Sequence, residues 1–157
     1  MQSSTSLGAE RNLANLQSKI LTKQSTTLKT NVSFYETAAH EFRKAYGLPL
    51  GLTTTSLKLQ QNLIDEEHLE VAHAYLDLLE DITNKRAREH MLKELADLVF
   101  VCHQMAAAFG WDLQTAHNRV HASNMSKLGE DGNPIRREDG KILKGPNYFE
   151  PSLIDLV

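Results

Sequence analysis

The chain has a single cysteine, Cys102, set in the apolar sequence LVFVCHQMAAAF. Neither a disulfide framework nor a thiolate zinc site can form within one chain, and a reducing compartment is the natural setting. An excess of basic residues is also missing: 17 Lys and Arg stand against 20 Asp and Glu, for a net charge of −3 and a pI near 6.1. Nucleic acids and anionic membranes are drawn to clustered positive charge, so polyanion binding is not expected as a main role. No apolar run reaches the roughly 18 residues that span a bilayer, and the N-terminal residues lack the h-region of a secretory signal. A soluble, cytoplasmic protein with no membrane partner is expected. Its 157 residues allow one domain with one core.

Residues 1–30 are rich in Ser, Thr and Gln and carry Glu10 as their only acid. This composition suits a flexible tail, with a marginal amphipathic helix from about residue 10 to 24 on Leu13, Leu16, Ile20 and Leu21. Organellar transit peptides share it, which leaves organellar targeting open. Asn31 or Ser33 can cap a helix through FYETAAHEFRKAYG, whose apolar stripe is Phe34, Ala38, Phe42 and Ala45 and whose stop is Gly47. After an extended LPLGLTTTS, a long helix runs from about Leu57 to Ile82, with Leu59, Leu63, Ile64, Val71, Ala74, Tyr75, Leu78 and Ile82 apolar. A polar turn precedes a third helix, about Ala87 to Phe109, carrying Met91, Leu95, Leu98, Cys102 and Met105 and ended by Gly110. A shorter helix covers about Asp112 to Met125. From Gly129 the chain is irregular and basic, with a small hairpin expected in RREDGKIL around Asp139-Gly140. The fold class is all-α, four to five helices with an irregular tail. Residues 31–128 make the helical domain and 129–157 the tail.

Two pairs of acids interrupt the apolar stripes. Glu67 lies three after Ile64 and four before Val71, with Glu70 one turn on. Glu94 lies three after Met91 and four before Leu98, with Asp97 four before Val101. Like charges at i, i+3 repel, and burying an uncompensated carboxylate costs several kcal/mol, on the order of 3–5 when a partner is lost. The stripes contain no Lys or Arg to offset this, whereas a divalent ion between the helices would satisfy all four acids. Ligands made only of oxygen favour Mg²⁺ or Mn²⁺. Two other readings compete. Acids three apart on a helix commonly lie on solvated faces, as in a non-catalytic helical interaction domain. Glu70-Val-Ala-His73 also fits the Glu-x-x-His pattern of diiron bundles, but Asp97 has no His at the matching spacing.

The chain resembles the MazG-like all-α nucleoside triphosphate pyrophosphohydrolases, on the pattern Glu66-Glu67-His68-Leu69-Glu70, a spacer of 23 residues (71–93) and Glu94-Leu95-Ala96-Asp97. HEFRKAYG, LIDEEHLEV and ELADLVFV look like that family's first three helices. The stretch VHASNMSKLGEDGNPIRREDGKILKGPNYFEPSL is similar to the tail of its phage and bacterial subgroup. The likeness spans roughly residues 33–153. Phe100 stands where many relatives have Tyr, and Ala122 where many have Arg.

The resemblance implies hydrolysis between the α- and β-phosphates of a nucleoside triphosphate, in dNTP pool control or house-cleaning. Mg²⁺, with Mn²⁺ able to substitute, would be held by Glu67, Glu70, Glu94 and Asp97, polarising phosphate oxygens and activating a water. Glu66 is either a further ligand or the general base, and Glu66 and Glu67 are the expected catalytic acids. Asn124 and Lys127 match positions that hold phosphate, and Lys144 and Tyr148 would close over it from the tail. Phe42 would stack on the base, with Phe34, Phe100 and His121 nearby. Purine (dGTP or GTP) and pyrimidine (dCTP or dUTP) substrates both fit. A homodimer or homotetramer is expected, with the pocket near the subunit interface.

Overall fold

The computed structural model describes residues 34–157, in which four helices form: α1 (Phe34–Ala45), α2 (Thr54–Glu80), α3 (Lys85–Phe109) and α4 (Leu113–Met125). A 3-10 turn at Ile154–Leu156 follows. The readings made for residues 1–30, and the caps Asn31 and Ser33, lie outside the described residues.

Each helix boundary has a local cause. α2 starts three residues earlier than its apolar pattern predicts, because Thr53 and Ser56 form a reciprocal capping box that ties down two free backbone N–H groups. α3 likewise starts two residues early, at the Asn84 cap, whose side chain accepts from the Arg86 and Ala87 amides. Between them the carboxylate of Asp81 accepts from the Thr83 amide and hydroxyl, and the short turn folds α3 back along α2. Gly110 ends α3 at φ 76°, a left-handed conformation that a side chain would strain, and its N–H caps the Ala106 carbonyl. Asp112 then caps α4 by accepting from the Thr115 amide at 2.8 Å.

α3 is the centre of this part of the chain and packs along both α1 and α2. The contacts are close because the buried apolar residues are small: Ala39, Ala74, Val101, Ala106, Ala107 and Ala108. No large side chain is fully buried among the described residues. This corrects the expected stripes, since Leu59, Tyr75, Ile82 and Leu95 are exposed in the single chain. Two flanking helices cannot wrap a third on every side, so the outer parts of the stripes stay open. Polar groups fill part of the interior instead. Arg43 is buried and donates to the Gln104 carbonyl and side chain and to the Pro49 carbonyl, while Gln104 donates to the Ala39 carbonyl.

The tail is held against the end of α4. Ser123 donates to the Phe149 carbonyl at 2.7 Å, the Phe149 amide donates to Ser126, and the Gly145 amide donates to the Lys127 carbonyl. Around Asp139-Gly140 the expected hairpin is reduced to a turn with one isolated bridge, Arg136 to Ile142, and a second joins Leu128 to Pro134. Among the described residues, then, the protein is all-α, and no helix is long and apolar enough to cross a membrane.

Candidate metal centre

The helical period places Glu67 and Glu70 on the side of α2 that meets α3, and Glu94 on the side of α3 that meets α2. Ligand oxygens of these three residues lie within 4.8 Å of one another. Glu94 is buried, at 2 % exposure, while Glu67 and Glu70 are half-buried. Asp97, one turn beyond Glu94, joins the group through the Lys93 ammonium, which sits 3.0 Å from Asp97 Oδ2, 3.0 Å from Glu94 Oε2 and 3.8 Å from Glu70 Oε2. Three of the four acids expected from the spacing thus share one cluster, and Asp97 borders it through Lys93. Glu66, on the same turn, is exposed, and its charge adds to the repulsion felt by Glu67.

Lys93 and His90 are the residues that reading the stripes missed. The stripes themselves hold no cation, yet Lys93 reaches in from beside Glu94 on a flexible stem, and its i, i+4 relation to Asp97 was the available signal. His90, one turn before Glu94, lies 3.0 Å from Glu94 Oε1 and 3.5 Å from Asp77. The charges are unevenly satisfied. Hydrogen bonding to Lys93 holds the Glu94 carboxyl below its ordinary range against the opposing effect of burial, and Lys93 is pushed up by the same contacts. Glu67 goes the other way: burial, then Glu70 and Asp97, raise it, with Lys93 only partly opposing. Its Oε2 is buried with no hydrogen-bond partner. An all-oxygen donor set with one orphaned acceptor suits a hard divalent cation.

A second group forms at the end of α4. Lys127 Nζ donates to Asn124 Oδ1 at 2.8 Å, and the Lys144 ammonium lies 4.1 Å over the Tyr148 ring and 3.6 Å from Glu150. The Gly145 amide donates to the Lys127 carbonyl, which joins the backbone of the tail to the end of α4 between these pairs. The hydrogen bonds and ion pairs of these side chains among the described residues stay within α4 and the tail, and none runs to the acids.

Phe42 meets Phe100 edge-on at 5.3 Å and Tyr46 at 4.4 Å, at the edge of the α1–α3 contact. A separate groove of about 570 Å³ opens among α1, α3 and α4, lined by Tyr35, Leu98, Cys102, His103, Leu113 and His117. His73 is exposed, as a helix-surface residue would be.

No protein-family model and no curated protein matches this chain.

Proposed function

We infer that the protein is a Mg²⁺-dependent nucleoside triphosphate pyrophosphohydrolase of MazG-like type, cleaving (deoxy)nucleoside triphosphates to the monophosphate and pyrophosphate. The observation that carries this reading is the convergence of Glu67, Glu70 and Glu94 from two packed helices, with Glu94 buried and Glu67 Oε2 lacking any partner. Two carboxylates on one helix are common, but three oxygens gathered in one place with an unsatisfied acceptor call for a cation. Glu67, Glu70, Glu94 and Asp97 would hold Mg²⁺, which when bound neutralises triphosphate charge and acidifies water. Glu66, exposed one residue before Glu67, is assigned as a further ligand or as the base that takes a proton from the attacking water.

Asn124, Lys127, Lys144 and Tyr148 supply neutral and cationic donors for phosphate oxygens. A second copy of the chain is the proposed source of the donors that face each set of acids. Exposed Leu69, Leu76 and Leu79, which share one face of α2, with Leu92 on α3, would provide the apolar surface for a homodimer or homotetramer. The base is assigned to the slot beside Phe42 and Phe100.

Pyrophosphate release with Mg²⁺, measured across the common NTPs and dNTPs, tests the reading. Wild type should turn over at least one of them, and Glu67→Ala and Asp97→Ala should each lower the rate by about 100-fold or more. No release by wild type, or release unchanged by both substitutions, refutes it. The alternative, a non-catalytic helical interaction domain, is favoured by one observation, that Lys93 already neutralises part of the acidic charge. It predicts no metal-dependent turnover.

A further inference from the structure

Building on the magnesium reading of the four carboxylates, we propose that Lys93 is a resident counter-cation that must leave the cluster for a divalent ion to enter, and so sets the metal affinity of the site. Its ammonium lies 3.0 Å from both carboxylate oxygens of Glu94, 3.0 Å from Asp97 Oδ2 and 3.8 Å from Glu70 Oε2. These are the oxygens that a metal ion needs. Ammonium hydrogens and a metal compete for the same lone pairs, and Mg²⁺ accepts oxygen ligands only at about 2.0–2.1 Å, too close to leave Lys93 in place.

Charge and geometry say why the occupancy is provisional. One ammonium faces four carboxyl groups, with His90 touching only Glu94 among them, and the three hydrogens of the ammonium are taken up by Glu94 and Asp97. None remains for Glu67, whose Oε2 is the orphaned acceptor. The Lys93 side chain is 59 % exposed on a four-carbon stem, so withdrawing it into water needs no rearrangement of the helix. Lys93 therefore keeps the metal-free acids together and yields when a doubly charged ion offers more. A monovalent ion gains nothing by the exchange, so the device favours divalent ions.

The test is calorimetric titration of MgCl₂ into the full-length protein without nucleotide, for wild type, Lys93→Met and Lys93→Gln. Arg88→Gln serves as the control, since Arg88 lies on the same helix and donates to the Thr83 carbonyl. Both Lys93 variants should bind Mg²⁺ about tenfold tighter, and the control within about twofold of wild type. Lysine acetylation of the wild-type protein with an activated acetate ester, read by mass spectrometry, reports the displacement without any substitution. Lys93 should be modified slowly in metal-free protein and several-fold faster in saturating Mg²⁺. Equal or weaker binding by both variants, or labelling that is unchanged or slowed by Mg²⁺, overturns the proposal while metal-dependent pyrophosphate release can still stand. Absence of Mg²⁺ binding in every variant overturns both.

Discussion

Glu67 is poorly compensated: its Oε2 has no partner and Glu70 and Asp97 repel it. Replacing it by Gln removes its repulsion with Glu70 and Asp97, so metal-free Glu67→Gln should be more stable than wild type by about 0.5–1 kcal/mol. The same variant should lose most of the Mg²⁺-dependent rise in melting temperature, and thermal unfolding in EDTA and in Mg²⁺ measures both. A separate titration belongs to His103, which stacks on Tyr35 at 5.4 Å. Burial lowers its pKa, with Glu36 opposing and His117 adding to the shift. A depressed histidine means that the unfolded chain binds the proton more readily, so its contribution to stability is complete above about pH 6.5 and declines as pH falls through that value. His103→Gln should flatten that part of the stability profile in urea titrations from pH 8 to 5. The acids were legible because their interruption of a periodic stripe is a one-dimensional signal. Lys93 was not, because a long flexible side chain reaches places that its position on the helix does not disclose.

At the scale of elements, the helices were readable from period and punctuation, and the errors sit at their boundaries: α2 and α3 start early, and α2 stops at Glu80 rather than near Ile82. The Thr53–Ser56 box was overlooked because Ser takes the place usually held by Glu or Gln. Thr53→Ala should destabilise the protein by about 1 kcal/mol, observable by chemical denaturation. The tail was legible only as a set of turns, since its anchoring depends on close approach rather than pattern. A Cβ added at Gly145 would stand 2.2 Å from the Leu128 carbonyl oxygen, a backbone atom with no room to yield. Gly145→Ala should free the tail, seen as faster limited proteolysis within residues 129–157. Lower apparent affinity for nucleotide should accompany it, because Lys144 and Tyr148 flank that glycine.

At the scale of the whole molecule, apolar residues were expected to make a core and many of them instead make a surface. Leu76 and Leu79 are 58 % and 56 % exposed, a state that an unpartnered helix face seldom keeps in water. Sedimentation should find a dimer or tetramer for wild type and a shift toward monomer for Leu76→Glu with Leu79→Glu. The exposure of these two leucines was not legible in the sequence, because helical period marks which face is apolar and not whether anything covers it. The core that does form has its own consequence. Ala106, Ala107 and Ala108 are consecutive and all buried, and the Ala108 carbonyl accepts from the Gly51 amide, so this end of α3 is enclosed around much of its circumference. An interior made of methyl groups has almost nothing to lose by truncation and no slack for growth. Its mutational tolerance is therefore one-sided: damage comes from added bulk rather than from cavities.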